Sequence, residues 1–463
     1  MGQRGRLLAC GAFSLAYVLL LFVSIYLVYT YTLGSMHALK WDGYGYSDLL
    51  INYDAGFVRR GLLGALIRRN TISESSSLPY VNRFLFSNFL LLSFFTTILI
   101  LRSKKRTGIV ALLVLTMPGS IYSIASSGQF FYRKEILFYI SLCIVACLVC
   151  VLQYLDHPVT KRSIGYTAIF LIFVSSLVLP FIHESFLFMS APAHAFLLYA
   201  ATRTMRSKNL ALKMTYKLPR IMVRTYLSIQ AILFLILSHY KGNSMMAQII
   251  WDKLLPADKS MIAADGHLTG AIEAVGWGLP RALWLTVQVM ISGFGWYWLI
   301  PLVGGFLYCL SLTLLGKKSQ GSVTDISHQT SLWVNCYLTL LTATLPLFLL
   351  GWDWGRWMLA VNFSFVILWL AIEPQNLGKI TNAIPSSSTT QVSLQKPAEI
   401  AQEIAGVFAR FWLRHRRTLI ASMLLFSFTF RVPECCIGGS SSTMSMAKHG
   451  LKKIMKSYSD NRR

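Results

Sequence analysis

The feature that most limits the folds open to this chain is a series of long apolar runs, nearly free of charge, repeated along most of its length. The first covers residues 7–33. Others fall near 84–101, 108–118, 135–154, 164–182, 186–202, 222–239, 291–315, 331–351 and 356–373. A helix needs about 20 apolar residues to cross a hydrocarbon core of about 30 Å, and in lipid only helices and closed barrels satisfy their backbone. The reading is all-α: a polytopic transmembrane helical bundle of about 10–11 spans, the last being a short and doubtful run near 418–431. Composition agrees, since only 13% of the 463 residues are charged, against roughly a quarter in soluble domains. The first run is too long for a signal-peptide core and reads as a retained anchor. The run at 108–118 is short, and Pro118-Gly119 marks it as a broken or re-entrant helix.

Charge sets the orientation. Lys and Arg number 43 against 18 Asp and Glu, a net charge of +25. In a multi-pass protein such an excess belongs in cytoplasmic loops facing anionic lipid. No basic stripe interleaved with aromatics is present, so nucleic acid is not an expected partner. Arg4 and Arg6 put the N-terminus in the cytoplasm. Alternation then places Arg102–Arg106, Lys161-Arg162, the basic segment 203–224, Lys317-Lys318 and 374–417 on the same side. Three regions follow: a bundle over 1–373, a cytoplasmic linker over 374–417 with a Ser/Thr-rich, disordered part at 380–395, and a short apolar segment with a basic tail over 418–463. Whether 418–431 spans, and on which side the tail lies, stays open. The protein is expected to be integral to a membrane, the plasma (inner) membrane if it is bacterial. Cys143, Cys147 and Cys150 share a helical face with no His or carboxylate beside them, so they read as packing residues rather than ligands.

The polar residues left on the exoplasmic side are unusual. The first outer loop, 34–83, holds Asp42, Asp48 and Asp54, then Arg59-Arg60 within the glycine-punctuated stretch Asn52–Gly64, and Arg68-Arg69. Leu62, Leu63, Leu66 and Ile67 space out as a short amphipathic surface helix over 61–69. The second outer loop ends in Arg133-Lys134-Glu135, the third is a turn at His183-Glu184, and the fourth, 240–290, is long. The fifth is Trp352-Asp353-Trp354-Gly355-Arg356-Trp357. Each group also fits a plain reading. The tryptophans suit an interfacial belt, and Asp353 with Arg356 suits a local pair at a helix start. His183-Glu184 suits helix capping, and Arg133-Lys134-Glu135 a snorkelling edge. Asp54 suits a turn or N-cap, and Arg68-Arg69 suit headgroup contacts. Taken together on one face, they suit a site for a lipid-linked anion. Arg presents a fork matched to phosphate, a carboxylate in a partly dry cleft is a candidate general base, and indole faces suit sugar rings.

This arrangement resembles the GT-C class of integral-membrane glycosyltransferases, through the outer loop after the first span with Asp48 and Asp54 in it, the helical segment 61–69 and the long outer loop 240–290. The class often carries adjacent acidic residues in that loop; here Asp42, Asp48 and Asp54 have no acidic neighbour. The resemblance implies transfer of sugar from a polyprenyl-phosphate carrier, in surface glycan or glycolipid assembly. It implies a catalytic role for Asp54, with Asp48 second, and acceptor positioning by Glu184 and His183. Arg59, Arg60 and Arg356, with Arg133, Lys134, Asp353, Trp352 and Trp354, would bind substrate. The expected partners are the lipid-linked sugar donor and membrane lipid. No cofactor is required by the sequence, and no ligand spacing specifies a divalent metal. A polymerase or ligase of lipid-linked polysaccharide is the alternative, and a transporter or flippase without chemistry comes third. The sugar, the acceptor and the oligomeric state cannot be read from sequence.

Overall fold

The computed structural model describes residues 3–34, 43–103, 108–127, 133–205, 218–263, 265–291, 299–315, 323–351, 354–373 and 388–429. Every regular element among them is a helix. The chain opens with α1 (Gln3–Thr32) and two short helices, α2 (Gly43–Leu50) and α3 (Gly61–Asn70). Then come α4 (Leu78–Arg102), α5 (Gly108–Thr116), α6 (Ile121–Ser127), α7 (Ile136–Leu152) and α8 (Pro158–Ile182). A single turn, α9 (Phe186–Met189), leads into α10 (Ala191–Thr204) and α11 (Leu218–His239). The long fourth outer loop is itself helical: α12 (Ser244–Asp252), α13 (Pro256–Ile262), α14 (Gly270–Val275) and α15 (Leu279–Ile291). The chain finishes with α16 (Leu299–Leu315), α17 (Val323–Leu350), α18 (Trp354–Ala371) and α19 (Ser388–Thr429).

Among the described residues seven helices are long and apolar enough to cross a membrane, and α7 and residues 302–315 form shorter apolar helices. The protein is an all-α polytopic bundle of integral membrane type. The expected break at Pro118-Gly119 is present: α5 stops at Thr116, Gly119 adopts φ 103°, and α6 resumes at Ile121. The expected run 186–202 is divided at Ser190, where Pro192 in the first turn lets α10 start afresh. Of the stretch read as a linker, residues 388–417 belong to α19, which kinks at His415 and packs on α17. The rest of it, 374–387, and the tail from 430 lie outside the described residues.

Helix α18 is the hub. All of its residues are buried, and it packs against α7, α10, α16 and α17. Its two ends define the two faces of the bundle. At the C-terminal end, the Gln153 side chain donates to Ala371 O, Ser103 Oγ donates to Leu370 O at 3.0 Å, and Tyr154 OH donates to Arg102 O at 2.9 Å. The ends of α4, α7 and α18 therefore meet on the side of the basic loops. At the N-terminal end of α18, Arg356 Nη1 donates to Glu135 just before α7, Trp357 packs on Phe348 near the end of α17, and both share a cavity with His183 after α8 and Ser238 at the end of α11. This is the grouping that loop alternation requires.

The first and fourth outer loops interlock on that second face. Helix α2 packs against α3, α13 and α14. Asp258 Oδ1 accepts hydrogen bonds from Tyr46 OH (2.8 Å), Ser76 Oγ (2.8 Å) and the Ser77 amide (2.9 Å). One buried carboxylate thus gathers three donors from the first loop. Two of the three glycines in the stretch Asn52–Gly64 are required by close packing here. A Cβ on Gly64 would strike the carbonyl of Ile51, and one on Gly61 the ring of Tyr53. Only glycine lets α3 fold back across residues 50–53. The amphipathic helix read over 61–69 is α3, with Leu63 and Ile67 buried and Leu66 exposed.

Candidate functional site

The charged residues of five separate interhelical segments meet on this face. In the first, Asn52 Oδ1 accepts the Asp54 amide at 2.8 Å, an Asx turn, and the Arg59 amide donates to Tyr240 O at 2.9 Å. Arg60 follows with φ 71°, left-handed and costly for a side-chain-bearing residue. Its carbonyl accepts a 2.8 Å hydrogen bond from Lys134 Nζ, which helps hold that backbone. The Arg60 guanidinium forks onto Glu184, with Nε 2.8 Å from Oε2 and Nη2 2.5 Å from Oε1. Arg59 Nη1 approaches the same carboxylate at 3.6 Å. Pro180 lies in the last turn of α8, which ends at Ile182, and His183 continues in extended backbone. The chain therefore turns outward there and presents His183 and Glu184 to the first loop.

His183 Nδ1 accepts the Ser185 amide at 3.1 Å, which puts the proton of the neutral ring on Nε2. That nitrogen faces Glu135 Oε1 at 3.9 Å. Glu135 Oε1 also accepts from Arg356 Nη1 at 2.9 Å. Arg356 stands in the first turn of α18, where the helix dipole disfavours a cation, and Glu135 supplies the compensating charge. On the far side of Arg60, Lys134 Nζ lies 3.7 Å from Asp48 Oδ1. Both residues are buried, Lys134 wholly so. Neither oxygen of Asp48 accepts a hydrogen bond among the described residues. Asp48, Lys134, Arg60, Glu184, His183, Glu135 and Arg356 therefore form one continuous chain of contacts.

The electrostatics follow from burial and crowding. Burial alone would raise the carboxyl of Asp48, but Lys134, His183, Arg60 and Arg133 outweigh it and bring it to about 2. Burial would likewise raise Glu184, yet Arg60 and Arg59 hold it well below the usual carboxylate range. Burial lowers the Lys134 ammonium, with Asp48 opposing. Burial, reinforced by Arg60, lowers His183 to about 4, so this ring is neutral at pH 7. A protein that keeps a histidine neutral in the fold loses stability as acid charges the unfolded chain first. The His183 contribution is complete above about 6.5, its ordinary value. It declines as pH falls towards about 4, a loss of order 3 kcal/mol. Thermal unfolding in detergent between pH 7 and pH 4 is expected to show this decline, and His183→Gln is expected to flatten it.

Arg60, Glu184, His183 and Arg356 of this chain of contacts open onto a cavity of about 480 Å³. Its polar wall holds Arg59, Arg60, Lys241, Arg356, His183 and Glu184; its apolar wall holds Phe188, Phe234, Leu279, Ala282, Leu347 and Trp357. Tyr44 and Trp277 complete the rim. Trp277 is fixed by its own neighbours, donating Nε1–H to Glu273 at 3.3 Å with Arg281 4.7 Å over its ring.

The structure sorts the residues singled out in the sequence. Arg59, Arg60, His183, Glu184 and Arg356 line the cavity. Asp48, Lys134 and Arg133 stand behind it, with the Arg133 guanidinium 5.3 Å over the ring of Tyr44. Asp54 is not in the wall. Its carboxylate faces Arg68 Nε at 3.5 Å and its carbonyl accepts from Lys253 Nζ at 3.1 Å, so the pairing of Arg68 is with Asp54. Trp354 is buried, with Nε1–H donated to Gly351 O at 2.8 Å and Phe348 O at 3.1 Å, and lies outside the wall. Trp352 and Asp353 lie outside the described residues. Two residues escaped the sequence reading. Glu135 looked like the edge of a span, and Lys241 was not singled out. A signal for Lys241 existed: it directly follows an apolar run, at the start of a long loop that alternation groups with the other charged segments. Among the described residues, no group of three His, Cys, Asp or Glu is placed to hold a metal ion.

Fold and site together define a multi-pass helical membrane protein with a half-cationic, half-apolar cavity at one face of its bundle. Comparison with family models, curated proteins and solved structures gave no match.

Proposed function

We propose that the protein is a membrane glycosyltransferase that moves a sugar from a polyprenyl-phosphate carrier to an acceptor on the exoplasmic face, in the assembly of a surface glycan or glycolipid. The observation that carries this reading is the two-sided wall of the cavity. Phe234 on α11 and Leu347 on α17 belong to membrane-length helices and offer an apolar path for a lipid chain. Arg59, Arg60 and Arg356 offer forks for its phosphate. Basic loops at the opposite end of the bundle favour an exoplasmic position for the cavity.

Roles follow from geometry. Glu184 is the carboxylate in the wall, so it, rather than Asp54, is the group to take the proton of an acceptor hydroxyl once the substrate phosphate draws Arg60 and Arg59 from it. His183 is a poor base, since Nδ1 is engaged by the Ser185 amide and Nε2 carries the ring proton; that Nε2–H faces Glu135. Arg60 and Arg356 stabilise the charge that grows on the departing phosphate, a term worth about 3 kcal/mol per well-placed donor. Arg356→Ala is therefore expected to lower transfer from a polyprenyl-phosphate sugar by about 10²-fold or more. The measurement is product formation by purified protein in nanodiscs. Undiminished transfer by this variant would remove the role given to Arg356. Accumulation of donor in the opposite leaflet, with no product, would make the protein a carrier instead.

A further inference from the structure

The cations of the cavity wall are not equally committed. Arg60 is locked to Glu184 by its fork, and Arg356 is hydrogen-bonded to Glu135. Arg59 only approaches Glu184, at 3.6 Å, and among the described residues no carboxylate pairs with Lys241. These two come from distant parts of the chain and are brought together by construction. The Arg59 amide donates to the carbonyl of Tyr240, the residue before Lys241, at 2.9 Å. Phe57 packs edge-on against the Tyr240 ring at 5.0 Å. Gly242, with φ 87°, turns the chain where a side chain would strike Val275. Two adjacent cations are thus held at the wall without full neutralisation. Arg59, Arg60, Lys241 and Arg356 line the cavity with one carboxylate, Glu184, a surplus of three positive charges. A sugar joined to lipid through one phosphate carries one negative charge; one joined through a diphosphate carries two.

We infer that Arg59 and Lys241 form a second anion subsite beside that of Arg60 and Arg356, and that the cavity takes a diphosphate head group. This rests on the glycosyltransferase reading and puts a lipid-linked diphosphate in the place of its monophosphate carrier. In the transfer, the bond between the anomeric carbon and the diphosphate oxygen breaks. A bond from that carbon to the acceptor oxygen forms, and the acceptor proton passes to Glu184. The diphosphate leaves on its lipid with one more negative charge than it brought. The outer cations meet that added charge. The apolar wall favours a lipid as the bearer over a free diphosphate.

The test is binding of farnesyl phosphate, farnesyl diphosphate and inorganic pyrophosphate to the purified full-length protein by calorimetry. Farnesyl diphosphate is expected to bind at least about tenfold more tightly than the monophosphate, the worth of a further charge-assisted contact. Lys241→Ala and Arg59→Ala should each lower diphosphate affinity about tenfold, the former with unchanged melting temperature, while Lys241→Arg keeps the preference. Equal affinity for the two lipids, or a preference that survives both alanine variants, overturns the second subsite and leaves the glycosyltransferase reading standing. Binding of neither lipid overturns that reading as well. Pyrophosphate binding as tightly as farnesyl diphosphate upholds the subsite and overturns the lipid as its bearer.

Discussion

Glu184→Gln is expected to abolish transfer while leaving the grip on phosphate intact or stronger. The substitution keeps the shape of the side chain and removes its charge. A general base contributes about 10²–10⁴-fold, so kcat should fall by at least that range's lower bound. Arg60 and Arg59, released from their counter-ion, then have only the substrate phosphate to pair with. KM for the donor should therefore stay level or drop, the pattern of a lost transition-state contribution rather than lost binding. The folded protein should also suffer. Removing one partner of a largely buried ion pair costs about 3–5 kcal/mol, and Gln retains one acceptor for Arg60, which points to the lower end. Steady-state kinetics and thermal unfolding on the same preparation separate the two effects. A rise in KM with kcat unchanged would mean that Glu184 merely holds Arg60 in place.

The second large effect is structural and concerns the pair behind the wall. Lys134→Met is expected to destabilise the protein by about 3–5 kcal/mol. It leaves Asp48 ionised at 2% exposure and deprives the Arg60 carbonyl of its donor. Asp48→Asn alone leaves the Lys134 ammonium buried instead, with a similar penalty. Asp48→Asn with Lys134→Met removes both charges. It should recover about 2–3 kcal/mol relative to the sum of the single variants, as coupled neighbours do. Melting temperatures of the four proteins, measured at one detergent concentration, form the cycle. Simple additivity would show that the two side chains do not sense each other. Transfer should remain impaired in the double variant. The left-handed backbone at Arg60 depends on the Lys134 hydrogen bond, which the methionine cannot restore.

The fold was largely legible in the sequence because a span reports itself locally. A helix in lipid must be apolar over its own length, so α4, α8, α11 and α18 could be read without knowing their neighbours. The break in the third run was equally local, carried by Pro118-Gly119. Helix α2 was harder, because Gly43 and Gly45 weaken helix propensity and its burial comes from α13 and α14, more than 200 residues further on. The structured part of 388–417 was read as linker for the same reason: its Ser, Gln and Lys content hides a helix that packing on α17 stabilises.

The site was legible only as a set of candidates. Sequence alone determined that cations and carboxylates collect at one face, because loop alternation is a property of the linear chain. Tertiary structure decided which carboxylate belongs to which cation. Asp54 and Glu184 look alike in sequence, each beside a turn on the outer side. One is held by Arg68 away from the cavity, the other by Arg60 within its wall. Lys241 and Arg59 lie 182 positions apart and become neighbours through one backbone hydrogen bond at Tyr240. Ionic partners are chosen by distances of a few ångströms between remote segments, and no local pattern encodes them.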